Sequence, residues 1–149
     1  MDRFPHMSRA LALARAAAEA GEVPVGAVLV GADGSVLAEA QNAMRAQQDP
    51  TAHAEMLAIR AACAALGSER LRGCDLYVTL EPCPMCAAAI SAARIARLYY
   101  GASDPKSGGV EQGPRVFSHP QCHHVPEIYD GICAAEAAAL LRSFFGPRR

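Results

Sequence analysis

Thr79-Leu80-Glu81-Pro82-Cys83-Pro84-Met85-Cys86 is the stretch on which the fold turns. Apolar Leu76-Tyr77-Val78-Thr79-Leu80 leads into it and small residues follow it, so it reads as a strand passing into a helix. Pro84 suits the first helical position, where its missing N–H costs nothing. Cys83 and Cys86 stand at this junction, where two sulfurs can converge on one metal ion. Upstream, Thr51-Ala52-His53-Ala54-Glu55 offers an imidazole as a further ligand. His53, Cys83 and Cys86 make three ligands with no equally obvious fourth. Structural zinc sites are closed by four protein ligands, whereas catalytic ones keep a position open.

Glu55 adds to this reading. Ligands sharing one helical face sit three or four residues apart, and His53 and Glu55 are two apart. Glu55 is therefore expected beside the metal rather than on it, where a carboxylate can move protons. Each piece has a plainer reading. Cys-x-x-Cys alone could be a redox pair, His53 an ordinary helix residue and Glu55 a solvated one. Their joint occurrence, with Pro82 before Cys83, points to a catalytic metal centre.

Working outward, Pro5 to Ala20 has Met7, Leu11, Ala14 and Ala18 at helical spacing and a stop at Gly21. Val23 to Val30 reads as a buried strand, Asp33-Gly34 as a hairpin turn, and Val36 to Gln41 as the returning strand. Asn42, by position alone, is a strand-ending turn residue. Ala43 to Pro50 is a polar connection, with Asp49 or Thr51 available to cap a helix that carries His53 and Glu55 and ends at Gly67. The fourth strand, Arg97 to Gly101, follows the third through a helix, which calls for a parallel crossover. A long Gly- and Pro-rich loop from Ala102 to His124, a short strand at Glu127-Ile128-Tyr129 and a helix from Ile132 to Phe145 complete the chain. Two helix N-termini thus deliver the metal ligands, and their positive ends favour thiolate.

The 149 residues, 52% apolar and 19% charged, suit a single domain spanning 1–149 and exclude a disordered chain. No apolar run is long enough for a membrane span, and Asp2 and Arg3 before an Ala-rich amphipathic stretch do not read as a signal peptide. Six cysteines without such a signal favour a reducing compartment, hence a cytoplasmic location and no membrane partner. A net charge of -1 gives no global footprint for nucleic acid.

With the motifs placed, the sequence resembles the cytidine deaminase-like superfamily, whose signature is His-x-Glu followed by Pro-Cys-x-x-Cys with a non-ligating Glu. It looks most like the bacterial tRNA adenosine deaminases. The likeness runs from Glu22 to Val30, through Asp49 to Glu55 and Leu76 to Cys86, into Tyr100 to Gly108 and Phe144-Phe145. It implies a three-layer α/β/α sandwich around a five-stranded mixed sheet. It also implies one Zn2+ per subunit on His53, Cys83 and Cys86, and a homodimer whose partner helps shape the active site. The implied reaction is hydrolytic conversion of adenosine to inosine at the wobble position of a tRNA anticodon stem-loop, with Glu55 as proton shuttle. The residue matching Asn42 contacts the target nucleoside in this family, and those matching Val23, Pro24, Asp104 and Lys106 surround the substrate channel. Glu111 and Pro114 depart from the commonest family pattern, and the chain reads Gly146-Pro147-Arg148-Arg149 where some members carry a longer basic tail. Both departures bear on RNA recognition rather than on the chemistry.

Two rivals accompany this reading. One is a deaminase of a free base or nucleoside, such as guanine, cytosine or cytidine, on the same fold. The other is a zinc-stabilised scaffold whose fourth ligand comes from His119-Pro120-Gln121-Cys122-His123-His124; the plainer reading of that stretch is a surface loop.

Overall fold

The computed structural model describes residues 1–146; Pro147, Arg148 and Arg149, and with them the question of a basic tail, lie outside the described residues. The elements run α1 (Pro5–Glu19), β1 (Gly26–Val30), β2 (Val36–Gln41), α2 (Met44–Gln47), α3 (Ala54–Leu66), β3 (Asp75–Leu80), α4 (Pro84–Ala93) and β4 (Arg97–Ala102). A 3₁₀ turn (Val116–Ser118), β5 (Glu127–Tyr129) and α5 (Ala134–Phe145) follow. The sheet order is β2-β1-β3-β4-β5. β1 pairs antiparallel with β2 and β3, while β3–β4 and β4–β5 are parallel. The mixed five-stranded sheet and the parallel crossover through α4 are as expected.

Helices cover both faces of this sheet, giving three layers. β1 is buried at every residue because alternate side chains enter opposite cores. Ala27 and Leu29 face the core under α3 and α4, with Ala58, Ile59, Leu76, Val78 and Ile90. Val28 and Val30 face the core under α1 and α5, with Met7, Leu11 and Ala137. The continuous apolar run in the sequence thus reflects a strand buried on two sides.

α1 lies unusually close to β1. A Cβ on Gly26 would overlap the Ala10 carbonyl oxygen and lie 2.8 Å from the Ala14 nitrogen, so backbone occupies the space a side chain needs. Gly26→Ala is expected to cost about 1–3 kcal/mol by overpacking. Chemical denaturation would show it as a lowered midpoint with an unchanged m-value.

Three details differ from the sequence reading. β1 starts at Gly26 rather than Val23, because Pro24 has no N–H for the ladder and Val25 N–H turns back to the Val23 carbonyl at 2.8 Å. The polar connection holds a short helix, α2, that composition did not announce. The cap expected of Asp49 or Thr51 is absent: α3 starts at Ala54 with His53 itself at the N-cap. Asp49 instead accepts from the Thr51 N–H and hydroxyl at 2.8 and 2.7 Å, closing a local turn one step earlier.

Candidate metal and catalytic site

The two ligand-bearing turns have the same local construction. His53 (φ -71, ψ 152) is the N-cap of α3, and Cys83 (φ -70, ψ 171) is the N-cap of α4, with Pro84 following. Extended backbone at an N-cap turns the side chain across the mouth of its helix instead of along it. Cys86, one turn into α4, points the same way and is fully buried. The result brings His53 Nδ1 to 3.6 Å from Cys83 Sγ and 3.5 Å from Cys86 Sγ.

These separations test the fit to zinc. Tetrahedral bonds of about 2.05 Å to nitrogen and about 2.3 Å to sulfur place the two donors about 3.6 Å apart. The donor set therefore fits Zn2+ in chemistry and spacing. Among the described residues, these three are the grouping of His, Cys, Asp and Glu that could hold a metal ion. The His119–His124 loop does not supply a fourth ligand: His124 Nε2 lies 2.7 Å from the Ile95 carbonyl, and His119 and His123 line a separate cleft at the far end of α4.

The site's electrostatics favour cation binding. The Cys83 thiol is held down to about 4, first by the hydrogen bond from Cys86, then by His53 against the effect of burial. The Cys86 thiol is pushed up, because it lends its proton to Cys83 and is desolvated. His53 is raised by its hydrogen bond to Cys83.

Glu55, on the first turn of α3, is 4% exposed. Burial, the largest cause, pushes its carboxyl up to about 7, with the Cys83 charge adding to it. It stands outside the ligand group yet lines one cavity with His53 and Cys83. That cavity, about 140 Å³, is also lined by Val23, Val25, Asn42, Met44, Leu80, Glu81, Asp104 and Ser107. A wider groove of about 490 Å³, sharing Val23, Leu80, Asp104 and Ser107 with it, also takes in Lys106, Leu141 and Phe145. Of the residues marked in the sequence, Asn42, Val23 and Asp104 meet His53, Glu55 and Cys83 around the cavity. Lys106 is exposed on the adjoining groove, and Pro24 is buried without lining either space.

Two buried carboxylates escaped the sequence reading. Glu22, 3% exposed, accepts from the Arg45 and Ala46 N–H groups at 3.1 and 2.8 Å and so caps α2. Glu81, 2% exposed, gathers the loop after β4. The available signal was an acid wedged between apolar neighbours, Glu22 before Val23 and Glu81 between Leu80 and Pro82. Glu111, noted as a departure, takes the hydroxyl of Tyr100, which is 1% exposed.

A three-ligand centre with a buried acid beside it, set on a mixed sheet between helix layers, defines a class of zinc hydrolase. Residues 3–102 match the family model described as the cytidine and deoxycytidylate deaminase zinc-binding region, and the chain belongs to this family. It is 60% identical over 148 residues to the tRNA-specific adenosine deaminase of Agrobacterium fabrum, covering 99% of this chain and 97% of that protein. A solved structure from work on A-to-I editing by tRNA:A34 deaminases at the wobble position of transfer RNA superposes with a TM-score of 0.91. It shares 60% identity and covers 93% of this chain and 100% of its own. The guanine deaminase of Bacillus subtilis superposes with a TM-score of 0.65 at 46% identity, over 69% of this chain and 66% of its own.

Proposed function

We propose that the chain is a zinc-dependent deaminase that hydrolyses adenosine to inosine at the wobble position of tRNA. The observation that carries the chemistry is a buried Glu55, outside the His53, Cys83 and Cys86 group, that lines one cavity with His53 and Cys83. The substrate rests on the near full-length likeness to tRNA-specific adenosine deaminases.

His53, Cys83 and Cys86 hold the ion. Zinc bound there would supply the Lewis acidity that makes a water acidic enough to serve as nucleophile near neutral pH. Glu55 takes one proton from the attacking water and delivers it to the purine ring nitrogen as the water oxygen bonds to C6. It then carries the second proton from that oxygen to the amine, the C6–N bond breaks, and ammonia leaves while C6 keeps the oxygen as a carbonyl. Burial, which raises its carboxyl, favours its taking up a proton. Asn42, with its backbone fixed by an N–H bond to the Val25 carbonyl at 3.0 Å, is placed to hydrogen-bond the nucleoside. Val23 and Asp104 wall the cavity, with Pro24 behind that wall, and Lys106 on the groove suits an RNA phosphate. A small buried cavity demands that the base be unstacked and turned in, which a single-stranded anticodon loop allows.

One sheet with a core on each face supports reading 1–149 as a single deaminase domain. A homodimer completing the site and a cytoplasmic location rest on the family likeness.

The test is an anticodon stem-loop carrying a wobble adenosine, with free guanine, cytosine and cytidine in parallel. Inosine in the RNA is expected. Ammonia from a free base with none from the RNA would favour the rival deaminase, whose support is the partial likeness to guanine deaminase.

A further inference from the structure

The geometry points to Glu81 as a positioning residue that registers the loop bearing Asp104 and Lys106 against the metal-binding turn; the role rests on the deaminase reading above. Glu81 leaves β3 two residues before Cys83, and both its carboxylate oxygens face the loop that follows β4. Oε1 accepts from the Ser103 hydroxyl at 3.2 Å and the Asp104 N–H at 2.9 Å. Oε2 accepts from three successive N–H groups, Val110 at 3.0 Å, Glu111 at 2.9 Å and Gln112 at 3.0 Å. A carboxylate is acceptor-only, so one side chain satisfies donors from both ends of the 103–112 segment. Among the described residues the ion pairs are Arg9–Glu39, Arg97–Asp75 and Arg97–Glu127. The buried carboxyl group of Glu81 is therefore met by these donors and by no Lys or Arg ion pair, the condition under which a buried polar group is tolerated.

The loop is seated on the metal turn as well. Gly109 N–H bonds the Pro82 carbonyl at 2.8 Å, and Val116 N–H bonds the Gly109 carbonyl at 2.8 Å. A Cβ on Gly109 would lie 2.6 Å from the Pro84 nitrogen, and one on Gly108 would lie 2.5 Å from the Glu81 carboxyl carbon. Two glycines therefore permit backbone to lie directly on the turn that carries Cys83. Within the loop, Asp104 Oδ1 accepts from the Lys106 and Ser107 N–H groups at 3.2 and 3.1 Å. A displacement at the Asp104 N–H thus carries Lys106 and Ser107 with it. Asp104 and Ser107 wall both the cavity and the groove, so their distance from the zinc turn sets where the substrate sits.

Glu81→Gln tests this with a side chain of the same shape. Its remaining oxygen can serve the three N–H groups of 110–112, which turns the NH2 onto the Asp104 N–H and sets donor against donor. Zinc content is expected to stay at the wild-type level. KM for the wobble-adenosine stem-loop is expected to rise about tenfold with kcat within about twofold, the pattern of a lost ground-state contact. Amide exchange at Asp104 is expected to quicken at least about tenfold while 84–93 is unchanged. Gly108→Ala pushes the same loop off the Glu81 carboxyl and should reproduce the KM change. A role in packing alone would instead lower the melting temperature and the active fraction, reducing kcat at constant KM. Glu81→Gln with wild-type KM and wild-type exchange at Asp104 overturns the inference. A wild-type enzyme that makes no inosine overturns the substrate reading instead, and the exchange and zinc measurements then decide the role of Glu81.

Discussion

Glu55→Ala is expected to bind zinc at wild-type stoichiometry and to lose about 10²–10⁴-fold in kcat, the range that a positioned proton shuttle supplies. The separation of the two readouts follows from the geometry. The ligand atoms of His53, Cys83 and Cys86 cluster without Glu55, so removing the carboxylate leaves the donor set whole. Glu55 is 4% exposed, and no other acid shares its depth in the cavity except Glu81, whose oxygens are committed to the loop. Water is thus a poor substitute for the missing group. Metal analysis of the purified variant beside initial rates on the stem-loop gives both numbers. Wild-type turnover would remove Glu55 from the proton path. Loss of the ion would instead make it a ligand.

The second large effect is expected at Cys86. Cys86→Ser removes one of the three side chains arranged to hold the ion, itself fully buried on the first turn of α4, and leaves a hydroxyl that is a weak donor to zinc. Metal affinity is expected to fall by more than about 10²-fold, the upper range for changes that disturb only the outer partners of a ligand. Activity should fall with zinc occupancy and recover in part when zinc is added in excess. The wild-type protein treated with a strong chelator should show the same loss, together with a lower melting temperature, because an ion that binds only the folded state stabilises it by mass action. Unchanged melting and unchanged turnover after verified zinc removal would contradict the assignment of the centre.

The zinc centre was legible because its chemistry is written in short spacings. Cys83 and Cys86 lie on one turn, and His53 and Glu55 fall two apart, so side chains and backbone direction are tied locally. The antiparallel pair β1–β2 was legible for a similar reason, since Asp33-Gly34 sets the hairpin between two apolar runs. What escaped depends on distant backbone. Glu22 and Glu81 look like ordinary solvated acids until the N–H groups of 45–46 and of 104 and 110–112 arrive around them. The helix cap was misplaced because Asp49 and Thr51 satisfy each other, a competition that propensity does not resolve. The start of β1 was set by Pro24, whose missing donor outweighed the strand character of Val23 and Val25.

The pairing of Tyr100 with Glu111 constrains how this lineage can vary. A phenol inside a core needs an acceptor, and Glu111 rides on a loop that lesser contacts would not oblige to carry a charge. Losing Glu111 alone strands a hydroxyl in apolar surroundings, at about 1–3 kcal/mol. Losing the phenol alone costs less, because Glu111 is exposed and water can serve it. The two positions should therefore be inherited together, so that a homologue with phenylalanine at the first is freed from keeping glutamate at the second.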